Sequence, residues 1–109
     1  MIVLAGTAWA ETCEPAASVP GGCLQIRGRA SLWNGNPTLR IWRVGTRRIL
    51  GVRDGTPVPE RLQKELDGFT AEVFGDFVVC PLTRSQPGRM QMVCVRSAEN
   101  LVVRRDRTE

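Results

Sequence analysis

The chain contains no histidine, no tyrosine and a single lysine, and it has no apolar run long enough to cross a bilayer. Without His, the Ser–His and Cys–His nucleophile–base pairs of covalent catalysis are excluded. A Ser–Lys pair is formally open through Lys64, but no motif brings that residue near a serine. The carboxylates Asp54, Glu60, Glu65, Asp67, Glu72 and Asp76 are scattered, and no spacing pairs two of them as a glycosidase requires. They read as solvated surface groups. The sequence thus nominates no catalytic residue and no cofactor, and the expectation is a protein that binds rather than catalyses. The lack of about 18 consecutive apolar residues excludes a membrane-spanning helix.

At 109 residues the chain has the length of one domain. A core of that size gains from cross-links. Four cysteines are present, Cys13, Cys23, Cys80 and Cys94, spaced C-x9-C and C-x13-C. A tetrahedral zinc site uses closer pairs such as C-x2-C, so the even count points instead to two disulfides in an oxidising compartment. Three pairings are possible. Proximity in sequence favours Cys13–Cys23 with Cys80–Cys94. The start agrees with export: residues 1–10, MIVLAGTAWA, end in the small-x-small triplet Ala8-Trp9-Ala10 and read as the remnant of a secretory signal cleaved before Glu11. Trp9 would leave with it. A periplasmic or secreted location is expected.

The remaining basic residues are 14 arginines, which with Lys64 set a formal charge of +4. Arginine usage this lopsided follows from a GC-rich genome as readily as from chemistry. The arginines are densest in residues 23–52, CLQIRGRASLWNGNPTLRIWRVGTRRILGV. There, Leu24, Ile26, Gly28, Ala30 and Leu32 share one parity while Gln25, Arg27, Arg29, Ser31 and Trp33 share the other. Such alternation marks a strand with one buried face, and two small inward residues suit a strand that bends as a sheet curls closed. Asn34-Gly35-Asn36-Pro37 reads as a turn. Residues 38–44 form a second strand and residues 47–52 a third, making an antiparallel meander.

Residues 11–22 read as an irregular arm with two prolines and a Gly-Gly pair, ordered where Cys13 ties it down. After the meander, Val58, Leu62 and Leu66 recur at helical spacing between Pro59 and Gly68, predicting a short helix that acts as a lid or plug. Arg61 and Glu65 stand at i, i+4. Residues 69–82 form a fourth strand with a bulge or bend at Gly75-Asp76, where Asp76 is expected to bond to backbone. Residues 90–95 form a fifth, with Met90 and Met92 in the core. A turn at residues 97–100 leads to a sixth short strand or a continuation of the fifth, and residues 104–109 are a charged tail. The barrel domain spans residues 23–103.

This order, three strands, a helix and two further strands, resembles the OB-fold, a five-stranded Greek-key barrel with a helix between its third and fourth strands. The fold class is therefore all-β with small α content, a five- to six-stranded antiparallel OB-like barrel. An SH3-like barrel or open sandwich is the alternative. The segment GRASLWNGNPTLRIWRVGTRRILGV also resembles the hallmark of a family of small exported proteobacterial proteins, a likeness that implies export and no particular activity.

Arg27, Arg29 and Trp33 share the outward parity of the first strand, and Arg40 and Trp42 that of the second. Paired across the turn, they would make a patch of arginine interleaved with tryptophan, a composition that binds single strands of nucleic acid, anionic glycans or lipid headgroups. The OB resemblance puts the ligand face on strands two and three, adding Arg43, Arg47 and Arg48. The competing reading is that arginine stems cover apolar surface and stack on tryptophan with no ligand involved. Trp33 and Trp42 packed beneath the arm is another. Export makes nucleic acid an unlikely partner. The expectation is a disulfide-stabilised binding module for an anionic envelope component. The alternative is an accessory subunit docking on an envelope protein through the same face.

Overall fold

A computed structural model describes residues 13–105. The signal remnant, Trp9, Glu11 and the end of the charged tail lie outside them. Five strands form: β1 (Leu24–Leu32), β2 (Leu39–Arg43), β3 (Ile49–Val52), β4 (Glu72–Pro81) and β5 (Gln91–Arg104), with α1 (Glu60–Glu65) and a 3-10 turn at Gly68–Thr70 between β3 and β4. They close into a barrel in the order β1-β2-β3-β5-β4. Four seams are antiparallel and the β3–β5 seam is parallel. A parallel seam requires a crossover rather than a hairpin. Here the chain from β3 to β5 passes through α1 and β4, so local turns alone would not reveal it.

The expected parities hold except at Leu24, expected inward but exposed, and Ser31, expected outward but buried. Ile26, Gly28 and Ala30 of β1 are buried, as are Leu39 and Ile41 of β2 and Val73, Gly75, Phe77 and Val79 of β4. Together with Leu50, Val52, Val93, Val95 and Ala98 they make one core. Gly28 faces Gly75 across the β1–β4 seam. A Cβ on Gly28 would come within 2.6 Å of Ile41 Cγ2 and 3.1 Å of Phe77 Cδ2, so the Ile41 and Phe77 side chains already fill the space that a side chain there would need.

Leu62 of α1 is fully buried in the core, with Val58 and Leu66 packed beside it. The helix plugs the end of the barrel where β1 finishes and β4 begins. Six residues of isolated helix are marginal in water, so packing rather than propensity holds it.

Several local expectations are corrected. Residues 97–100 do not turn: β5 runs unbroken through them. The β4–β5 ladder shifts register twice, at Val78–Val79 and opposite Gly75; the second is where the sequence suggested, but its extra residue sits on the partner strand, where Asn100 takes φ 54°. Asparagine tolerates that left-handed region better than most residues. Asp76 bonds to side chains, not backbone, accepting from Asn100 Nδ2 at 2.8 Å and Arg27 at 3.3 Å. Arg61 pairs with Glu99 and Glu65 with Arg105, instead of with each other. Met90 and Met92 are only half-buried, and their sulfurs lie over Gly51 on the outer face of β3.

The disulfide pairing favoured by sequence proximity is also overturned. The bonds are Cys13–Cys94 and Cys23–Cys80. Cys80 and Cys94 face each other across the β4–β5 seam. The arm returns along this seam and brings Cys13 and Cys23 to them from outside. The path of the arm across the seam, a long-range property, therefore decides the pairing. The arm is further tied by Ala16 N–H donating to Pro81 O at 2.9 Å and by Arg96, whose guanidinium donates to Cys13 O at 3.0 Å and pairs with Glu14.

Candidate functional site

The eight residues expected to form one arginine–tryptophan face are divided by the barrel into two groups. Arg27, Arg29, Trp33, Arg40 and Trp42 lie on the outer surface of β1 and β2 or the turn between them, and each is engaged by the protein itself. Arg27 pairs with Asp76 at 3.3 Å. Arg29 lies 3.9 Å from the Glu72 carboxylate and 4.8 Å over the Trp42 ring. Arg40 Nε donates to Pro37 O at 3.0 Å. The indole N–H of Trp33 donates to Ser31 Oγ, and that of Trp42 to Thr46 O. These contacts come from the sheet neighbours: Arg27 faces Asp76 and Ser31 faces Glu72 across β1–β4, and Arg29 faces Trp42 across β1–β2. Opposite-charge and cation–ring pairs on adjacent strands stabilise a sheet by themselves. Asn100, the largest influence, and Arg27 together hold the Asp76 carboxyl below its ordinary 3.8.

Arg43, Arg47 and Arg48 belong to a different place. β2 is five residues long and β1 nine, and the ladder between them ends at Gly28–Arg43, extended only by Val44 N–H donating to Arg27 O at 2.9 Å. The first three residues of β1 therefore have β4 on one edge and no β2 on the other. The consequence shows in Leu24. It has the same inward parity as Ile26, which is 4 % exposed, yet it is 41 % exposed. Between this part of β1 and the starts of β3 and β5 the barrel is open. A cavity of about 600 Å³ enters there, floored by Leu24, Ile26, Leu50, Val79 and Val93 and walled by arm residues Val19 to Cys23.

Three arginines, Arg43, Arg48 and Arg84, line this cavity, and among the described residues no aspartate or glutamate does. Among the described residues the Arg43 guanidinium has no hydrogen-bond or ion-pair partner. Arg48 donates to the neutral Gln91 Oε1 at 2.6 Å, and Arg84 to Ser18 O at 3.1 Å. Among the described residues none of these three arginines has a carboxylate partner, unlike Arg27, Arg29, Arg61, Arg96 and Arg105. Arg47 projects from the β2–β3 turn into a neighbouring depression with Ile49 and Arg89.

Sequence reasoning therefore reached two of the three rim arginines, for the reason that OB-type ligand faces lie on the second and third strands. It missed Arg84, whose loop carries only turn signals. It also missed the apolar floor, because those residues have the same pattern as the rest of the core. The available signal was the mismatch in strand length between residues 23–33 and residues 38–44.

The cysteines form the other chemical cluster. The sulfurs of Cys13, Cys80 and Cys94 lie within 4.8 Å of one another, all buried. As disulfides they offer no thiolate to a metal. No family model, curated protein or solved structure matches the chain.

Proposed function

We propose that this protein is an exported binding module that holds an anionic ligand at the open end of its barrel. The observation that carries the reading is the set of three arginines, Arg43, Arg48 and Arg84, lining a cavity with no acidic residue among the described ones. Convergent charge left unbalanced by the protein costs self-repulsion unless a ligand offsets it, and a concave wall focuses its field on that ligand. Arginine forks match carboxylate and phosphate oxygens two at a time. Strand order and the helix between β3 and β4 support an OB-type barrel, whose ligands lie on the second and third strands. Two disulfides support an oxidising compartment, and an envelope location makes an anionic envelope component the natural ligand class. The outer arginine–tryptophan ladder of β1 and β2 is read as structural, since its charges already have partners.

The test is a titration with inositol hexakisphosphate at low salt, followed by backbone amide shifts. Shifts centred on Arg43, Arg48 and Arg84 are expected, reduced at least tenfold in affinity by Arg43→Glu with Arg48→Glu and little changed by Arg27→Gln. Shifts centred on Arg27 and Arg29 would return the site to the outer face. No shift in either place would count against anion binding altogether.

A further inference from the structure

The floor of the opening says more about its ligand than the rim does. Leu24, 41 % exposed, lies in the cavity that Arg43, Arg48 and Arg84 also line, above the core residues Ile26, Leu50, Val79 and Val93 that close its base. From the geometry we infer that the ligand is a single-chain anionic amphiphile, its acyl tail on this floor and its acidic head between Arg43, Arg48 and Arg84. This rests on the anion-binding reading above.

Four observations converge. Leu24 is an inward-parity residue left 41 % exposed because β2 ends before reaching it, so apolar area is uncovered at that point. The far end of the barrel is filled by Leu62, so the opening is a blind pocket. Its outer wall is the arm, held between the two disulfides and by Ala16 N–H on Pro81 O, which keeps the pocket formed without a ligand. Its volume of about 600 Å³ falls in the range of small-molecule sites. A wholly polar anion would satisfy the arginines and leave Leu24 wet. A neutral lipid would cover the floor and leave three cations unbalanced. An acyl chain with a carboxylate or phosphate head satisfies both.

The experiment is calorimetric titration of the full chain with dodecanoate below its micelle concentration, repeated with decanoate, octanoate and acetate. Binding of one dodecanoate per chain is expected, weakening about fourfold for each methylene removed, the factor carried by burying one CH₂, with acetate giving no heat. Arg43→Ala and Arg48→Ala should each weaken every member of the series by a similar factor, leaving the chain-length slope unchanged. Leu24→Glu, at an exposed position that folding tolerates, should abolish binding. An affinity independent of chain length overturns the amphiphile, and the anion reading survives if inositol hexakisphosphate still binds through the same arginines. A chain-length slope insensitive to the arginines also overturns it, as nonspecific partitioning. If neither probe binds, both readings fall.

Discussion

The two disulfides are nested, and that arrangement makes a quantitative prediction. Cys13–Cys94 spans 81 residues and encloses Cys23–Cys80, which spans 57. With either bond in place, the loop closed by the other is 81 less 57, or 24 residues, because the chain can take the short way through the existing link. Loop-closure entropy then assigns about 3.5 kcal/mol to the second bond, whichever it is, and about 4–4.5 kcal/mol to the first. Replacing Cys13 and Cys94 by alanine should therefore cost about 3.5 kcal/mol and lower the melting temperature by roughly 14–28 °C. Replacing Cys23 and Cys80 should cost nearly the same, despite the shorter span. Removing all four should cost about 8 kcal/mol, about 1 more than the two losses separately, enough to unfold a domain whose total stability is about 5–15 kcal/mol. Circular dichroism melts of the three variants measure the losses. A thiol titration checks the pairing: the Cys13→Ala, Cys94→Ala protein should contain no free thiol. Two free thiols, or a melting temperature within a few degrees of the parent, would refute the nested pairing.

Two further outcomes follow from the β1–β4 seam and its neighbours. Gly28→Ala puts a methyl within 2.6 Å of Ile41 Cγ2 beside the Phe77 ring, so a loss of about 1–3 kcal/mol is expected in urea unfolding; an unchanged midpoint would show that Ile41 can move aside freely. The Asp76 carboxyl is depressed first by Asn100 and then by Arg27, so Asn100→Ala should raise its titration midpoint towards 3.8, read from its side-chain carbonyl resonance. A depressed carboxylate contributes stability that is present above its unfolded value and lost as pH falls through the folded one. The contribution of Asp76 should therefore fade only below about pH 4, and a loss near neutrality would contradict it.

Much of the architecture was legible along the chain. Alternation in residues 23–33 and 69–82 marked β1 and β4 with the correct buried faces, and Val58, Leu62 and Leu66 marked α1 and its apolar side. These are local properties: side-chain period and turn chemistry act over a few residues. The even cysteine count pointed to two disulfides for the same kind of reason, compartment and size.

What only the tertiary structure decided depends on which strands become neighbours. The cysteines pair by the path the arm takes across the β4–β5 seam and not by closeness in sequence. Arg27, Arg29 and Trp42 are occupied because β4 and β2 bring Asp76, Glu72 and each other alongside. Arg84 joins Arg43 and Arg48 because three separate segments end at one mouth. The mouth exists because a five-residue strand closes against a nine-residue one. Sequence period determines which face of a strand is apolar; barrel closure determines whether that face is covered, and at Leu24 it is not.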